Sequence, residues 1–316
     1  MKKLVVIIPV LLMMFSCEKK ISKAIDVLAI QVNVNIDRFD QQFYNANEET
    51  LEAVKYEYPY LFPHQNDSIW LGKIESEKKL FLKAQQVFGE FQTEKSKIEE
   101  LFKHVKYYHS SFNFPKIITL ITNLDYENKV VYADSLLFVS LDMYLGKNSE
   151  VYKDFPLYLA QNFNKSNLMV DIAKSIGERY FIESKKRQFI DLIINEGKKM
   201  YLIDSYLPSV SDAQKIGYSN DKFDWTVANE TQLWKYFIEN KLLYSTDQNL
   251  HERFIANAPF SKFYIDIDKE SPGRIGVWIG WQIVRSYMNN NNVTLQQLLQ
   301  KKSEEIFRKS KYKPKK

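Results

Sequence analysis

Apolar side chains recur at helical spacing over most of this chain and switch to strict alternation in only a few places. Leu80, Ala84 and Phe88, then Ile98, Leu101, Phe102 and Val105, predict amphipathic helices over Asp67 to Phe88 and Glu94 to Tyr108. Val32, Val34 and Ile36 alternate with Asn33 and Asn35, the period of a half-buried strand leading into Asp37-Arg38-Phe39-Asp40, where Phe39, Phe43 and Tyr44 suggest a packed turn or helix. Glu48 to Phe62 reads as a short helix and a buried loop, restricted by Pro59 and Pro63. Lys116 to Thr122 and the Val130, Val131 and Leu136 to Val139 groups within Lys129 to Leu141 favour strands, so a small mixed sheet is expected.

Two consecutive stretches then organise the chain. Asn167 to Phe181 sets Leu168, Ile172, Ile176 and Tyr180 on one face, while Asp171, Lys174 and Glu178 occupy another and read as solvated pairs. Lys186 to Leu207 repeats the pattern through Phe189, Leu192, Ile193, Met200 and Ile203, with Pro208 marking its stop. Inside it Glu196-Gly197 breaks local propensity, because an interior glycine costs about 1 kcal/mol relative to alanine. A close contact or a helix break is needed to compensate.

Beyond Pro208, Asp212 to Gly217 and Thr226 to Asn240 read as helices. Ser271-Pro272-Gly273-Arg274-Ile275-Gly276 is a turn feeding a helix to Met288, in which Gly276 and Gly280 let another backbone come close. Arg274, Gln282 and Arg285 argue against a membrane helix there. Thr294 with Gln297 forms a capping-box pattern for a last helix, and Lys309 to Lys316 reads as a solvated basic tail. No internal repeat or long linker is present, so one α+β, predominantly helical domain is expected over 25–308, a small mixed sheet packed on long helices.

Composition agrees: only 9 Gly and 9 Pro stand against 20 Tyr and 21 Phe, and the 45% hydrophobic content is enough for a core. The N-terminus changes the picture more. Met1-Lys2-Lys3, an apolar run from Leu4 to Phe15 and then Ser16-Cys17 predict a signal peptide over 1–16, with Cys17 as the lipidated residue and 17–24 as a short linker. Cys17 is the one cysteine, so no internal disulfide is available. Without Lys2 and Lys3 the 44 basic residues fall to 42 against 39 acidic, too slight an excess to indicate nucleic acid. The short, weakly acidic segment after Cys17 points to a periplasm-facing domain; the choice between inner and outer membrane stays open.

A helix followed by a second helix carrying Glu-Gly is also the layout of zinc metallopeptidases, whose first helix supplies His-Glu-x-x-His. Here the first helix holds no histidine; the four are His64, His104, His109 and His251. His104 and His109 lie roughly 140° apart around a helix and share no face. A nucleophile elbow, a phosphate-binding loop and a dinucleotide fingerprint are all missing.

Taken together, the Cys17 lipobox, Asp37-Arg38-Phe39-Asp40, the strand pair, Asn195-Glu196-Gly197 and Ser271-Pro272-Gly273-Arg274-Ile275-Gly276-Val277-Trp278-Ile279-Gly280-Trp281 resemble the gliding-motility lipoprotein B (GldB) family of Bacteroidota over essentially the whole chain. That resemblance implies a lipid-anchored envelope protein working beside the type IX secretion system, with gliding or secretion proteins as partners. The family is also similar to zincin-like peptidases that keep His-Glu-x-x-His. On this reading Glu196 and Gly197 mark a relic third-ligand position, and Asp171 and Ser175 stand in the lost ligand places, a carboxylate and a hydroxyl that suit zinc poorly. No cofactor, metal or catalytic residue is therefore expected. Trp278 and Trp281 are either core packing or, with Arg274, the wall of a retained groove. The expected function is noncatalytic, in assembly or operation of the gliding machinery; the alternatives are a periplasmic peptide- or glycan-binding lipoprotein and a metal-dependent hydrolase using Glu196 with a distant histidine such as His251.

Overall fold

A computed structural model describes residues 25–63, 66–182 and 187–314. Cys17, the signal segment, the linker before residue 25 and His64 lie outside the described residues. The chain opens with strand β1 (Ile36–Asp37), helices α1 (Phe39–Tyr44) and α2 (Leu51–Glu57), and the long α3 (Asp67–Phe88) and α4 (Gln92–Tyr108). Strands β2 (Lys116–Leu120), β3 (Val130–Ala133) and β4 (Leu136–Ser140) follow, then α5 (Leu157–Ala160), α6 (Leu168–Tyr180) and α7 (Phe189–Tyr206). The rest is helical: α8 (Asp212–Ile216), α9 (Asn220–Glu239), α10 (Asn249–Phe254), α11 (Ile275–Asn290), α12 (Leu295–Gln300) and α13 (Ser303–Ser310). The predominantly helical α+β expectation is thus met, and the sheet is mixed.

Its strand order is β1-β2-β4-β3, with β1 and β4 parallel to β2 and β3 antiparallel to β4. Ile117, Ile118 and Thr119 are all buried, so the central strand is covered on both faces, as parallel pairing requires. The alternation at Val32 to Ile36 yields less strand than expected. Only Ile36–Asp37 joins the ladder, although Val34 is buried and the Asn35 carbonyl accepts from the Ile117 amide at 2.9 Å. Asp40, fully buried, receives Arg38 through two nitrogens and Gln85 through a third, which ties this N-terminal segment to α3.

The core is centred on α7 against α11. A Cβ on Gly197 would overlap the Gly280 carbonyl and stand 2.9 Å from the Trp281 nitrogen, while one on Gly280 would overlap the Ile193 carbonyl. The glycines therefore let two helix backbones touch, which is the compensation that Glu196-Gly197 needed. At the C-terminal end, α12 starts on the expected capping box, with the Gln297 amide donating to Thr294 Oγ1 and the Thr294 amide donating to Gln297 Oε1. The tail is not solvated throughout: Ser310 is buried, and Tyr312 stacks edge-on against Trp234 at 5.2 Å and donates to Glu230. Apolar contact outweighs the local basic charge there.

His109 sits where α4, α6 and α7 end together. Its ring stacks on Tyr180 at 3.6 Å and shares a 2.6 Å hydrogen bond with the Tyr206 hydroxyl. Burial pushes its pKa down from 6.5 to about 4. Between those values the unfolded chain holds a proton that the folded chain does not, so the stability is fully present above about 6.5 and is lost as pH falls toward 4. Denaturant melts at neutral pH and at pH near 5 are expected to differ less for His109→Gln than for the wild type; an unchanged difference would assign the acid loss to other groups.

Candidate functional site

Glu196 lies on α7 beside a cavity of about 150 Å³ enclosed by α6, α7 and the residue that precedes α11. Ala173, Met200, Leu202 and Ile203 supply its aliphatic wall, and Lys174, Glu178, Glu196, Lys199 and Arg274 supply its charges. The Glu196 carboxylate accepts from Lys199 at 2.7 Å, and its side chain is only 22% exposed. Lys199 in turn lies over the Phe181 ring. This is an ordinary one-turn pair, of the kind that stabilises a helix by about 0.3–0.5 kcal/mol. Glu196→Gln is accordingly expected to change the folding free energy by less than about 1 kcal/mol, measured by urea unfolding.

The other two proposed relic residues point elsewhere. Asp171 pairs with Lys129 and accepts from the Tyr144 hydroxyl at 3.0 Å, with Lys174 farther off at 3.6 Å. Burial opposes its charge, but Lys129 and then Lys174 outweigh that and hold the carboxyl below its usual range. Ser175 Oγ accepts from the Tyr132 amide at 2.9 Å. Both side chains thus fasten α6 over β3, the edge strand of the sheet, and neither lines the Glu196 cavity. Asp171 is not the solvated surface charge that its helical spacing suggested, because its partner Lys129 comes from outside the helix.

Of the two readings of Trp278 and Trp281, core packing or a groove wall with Arg274, the structure supports core packing. Trp278 and Trp281 are 3% and 0% exposed, locked by indole N–H bonds to Glu230 and Asp204 and packed edge-on against each other at 5.7 Å. They are core residues, as helical spacing most often implies. Arg274 alone faces open space, lining the Glu196 cavity and a second one of about 240 Å³. It is held in the left-handed region at φ 63°, and its Nη1 donates to the Ile216 carbonyl at 2.8 Å. The turn before it is fixed by Ser261 and Ser271, and the Ile275 amide donates to Ser261 Oγ at 3.2 Å. His251 is exposed on α10 beside Glu252, and it does not line this cavity. Among the described residues no group of three or more His, Cys, Asp or Glu is placed to hold a metal ion.

One cluster went unanticipated. Arg285 bridges Asp204 and Asp212 with two bonds to each, while Lys215 and the Trp281 indole also reach Asp204. The guanidinium lies 3.9 Å from the Trp281 ring centre. Burial opposes the Arg285 charge, but donation to Asp212 and Asp204 outweighs it and raises its pKa. The available signal was that Arg285 is the one charged residue in Ile275–Asn290.

The sequence pattern of a known family, described as gliding motility protein GldB, matches residues 20–314. The chain belongs to the GldB family. As a GldB lipoprotein it is associated with the cell envelope, and among the described residues no helix is long and apolar enough to cross a membrane. No curated protein and no solved structure matches the chain.

Proposed function

We propose that this GldB protein is a noncatalytic, lipid-anchored component, facing the periplasm, that acts in assembly or operation of the gliding machinery linked to type IX secretion, and that its α6–α7 frame is a degenerate peptidase scaffold. The observation that carries the reading is the family match over nearly the whole chain. The chemistry of α6 supports its noncatalytic part: where a peptidase of this plan would present two imidazoles, Asp171 is committed to Lys129 and Ser175 to a backbone amide. Envelope proteins of the gliding and secretion apparatus are the expected partners.

A clean deletion is expected to abolish surface spreading and secretion of adhesins, and a Glu196→Ala protein supplied in its place is expected to restore both. Normal spreading and secretion in the deletion strain would remove the proposed role. Failure of Glu196→Ala at normal protein level would instead overturn the noncatalytic part.

A further inference from the structure

We propose that the cavity between α6 and α7 binds a carboxylate bearing a short aliphatic chain, the chemistry shared by a small free acid and the C-terminal residue of a peptide. This goes beyond the proposed role in gliding and stands independently of it.

The charges lining the cavity are unequally matched: three cations, Lys174, Lys199 and Arg274, stand against Glu178 and Glu196. Glu196 is spent on Lys199. Lys174 has Asp171 at 3.6 Å, but that carboxylate is shared with Lys129 and with the Tyr144 hydroxyl. Arg274 makes no ion pair among the described residues, and a single carbonyl takes one of its nitrogens. A guanidinium carries five N–H donors in a planar fork that fits a carboxylate with two parallel bonds. A half-buried cation left with donors to spare beside a second cation is the arrangement that an anion completes.

The rest of the lining identifies which anion. The exposed lining of the cavity is more apolar than polar, supplied largely by the hydrocarbon stems of its charged side chains over the packed Ala173, Met200, Leu202 and Ile203, which favours a hydrocarbon chain over phosphate. A cavity of about 150 Å³ has room for one carboxylate with its short side chain, and because it opens to solvent any longer segment would lie outside it. The left-handed backbone at Arg274 fits the same reading, since a non-glycine residue held there fixes where its side chain emerges.

Burial first, and then Arg274 and Lys129, push the Lys174 pKa down to about 8 against the pull of Asp171. Lys174 faces Asp171 and Glu178 on its own helix, Glu196 and Lys199 from α7, Arg274 ahead of α11 and Lys129 ahead of β3. A bound carboxylate favours the charged amine, so affinity is expected to fall as pH climbs through about 8.

The test is calorimetric titration of the full chain in detergent micelles with N-acetyl-leucine, N-acetyl-leucine amide, an acetylated tripeptide ending in leucine, and inorganic phosphate. Both acids are expected to saturate, with the amide and phosphate each weaker by about tenfold or more. A tripeptide acid that binds more tightly than acetyl-leucine assigns the site to peptide C-termini, and equal binding assigns it to free acids. Lys174→Gln and Arg274→Lys are each expected to weaken the acids by about tenfold. The second keeps the cation while losing the fork, and a melting temperature for each variant establishes that it is folded. Equal binding of acid and amide, equal binding of phosphate, wild-type affinity in both folded variants, or no saturation by either acid at millimolar concentration overturns the proposal.

Discussion

Gly280→Ala is expected to cost about 3 kcal/mol of folding stability and to lower the melting temperature by several degrees. The added carbon would overlap the Ile193 carbonyl oxygen and stand 3.2 Å from the Ile193 Cα, so only a movement of the α7 backbone relieves it. Those atoms belong to a hydrogen-bonded helix and cannot rotate away as a side chain would. Gly197→Ala presses on the same seam from the other side and is expected to act similarly. The double substitution should cost less than the two single costs combined, because helices already pushed apart by one methyl partly accommodate the second. Gly72 provides the contrast: it lies inside α3 with nothing within 4 Å of an added Cβ. There alanine is expected to stabilise by about 0.5–1 kcal/mol, since it lowers the conformational entropy of the unfolded chain without a clash. Thermal melts of the four variants and the wild type check all of this; a Gly280→Ala protein melting with the wild type would mean that the close approach does not constrain the packing.

Those glycines show where reading the sequence reaches and where it stops. Gly276 and Gly280 at helical spacing, and Gly197 inside an apolar helix, were recognisable as places where a backbone comes close, because glycine there is otherwise unfavourable. That each seam is the other's partner was not recognisable, since nothing local relates position 197 to position 280. The same holds for the elements. The limits of α3 matched because Asn66 caps its start and Gly89 ends it, both local signals. By contrast α9 begins at Asn220, not Thr226, because the Ser219 hydroxyl accepts from the Lys222 amide and the helix starts in a stretch with little periodicity. That the single last helix expected after Thr294 divides into α12 and α13 was not legible, because Ile306 and Phe307 are set among charged residues and the packing partner of Phe307, Trp234, is remote in sequence.

For the site, the residue type at 196 was legible and its setting was not. A Glu-Gly pair on an amphipathic helix pointed to a carboxylate at a crowded seam, and Glu196 does border a cavity beside that seam. Asp171 and Ser175 were grouped with it by analogy to a ligand spacing. Their actual partners, Lys129 and the Tyr132 amide, come from the edge of the sheet. Side-chain spacing on one helix defines a face but not what that face meets, and here it meets a strand.

Arg285→Met is expected to destabilise the protein by about 3–5 kcal/mol, the range found when one partner of a buried ion pair is removed. The loss of attraction is the smaller part. Asp204 and Asp212, 14% and 31% exposed, would each lose the two bonds that the fork gives them. Two carboxylates that share one guanidinium repel each other once it is gone. Adding Asp212→Asn to Arg285→Met is then expected to recover about 1 kcal/mol or more, because it removes the repulsion and keeps the shape. Urea unfolding of the wild type, the single and the double variants distinguishes this from simple loss of packing on Trp281, which would be unaffected by the second substitution. Since Asp204, Asp212 and Arg285 stand on α7, α8 and α11, the same result measures how firmly those three helices are tied together.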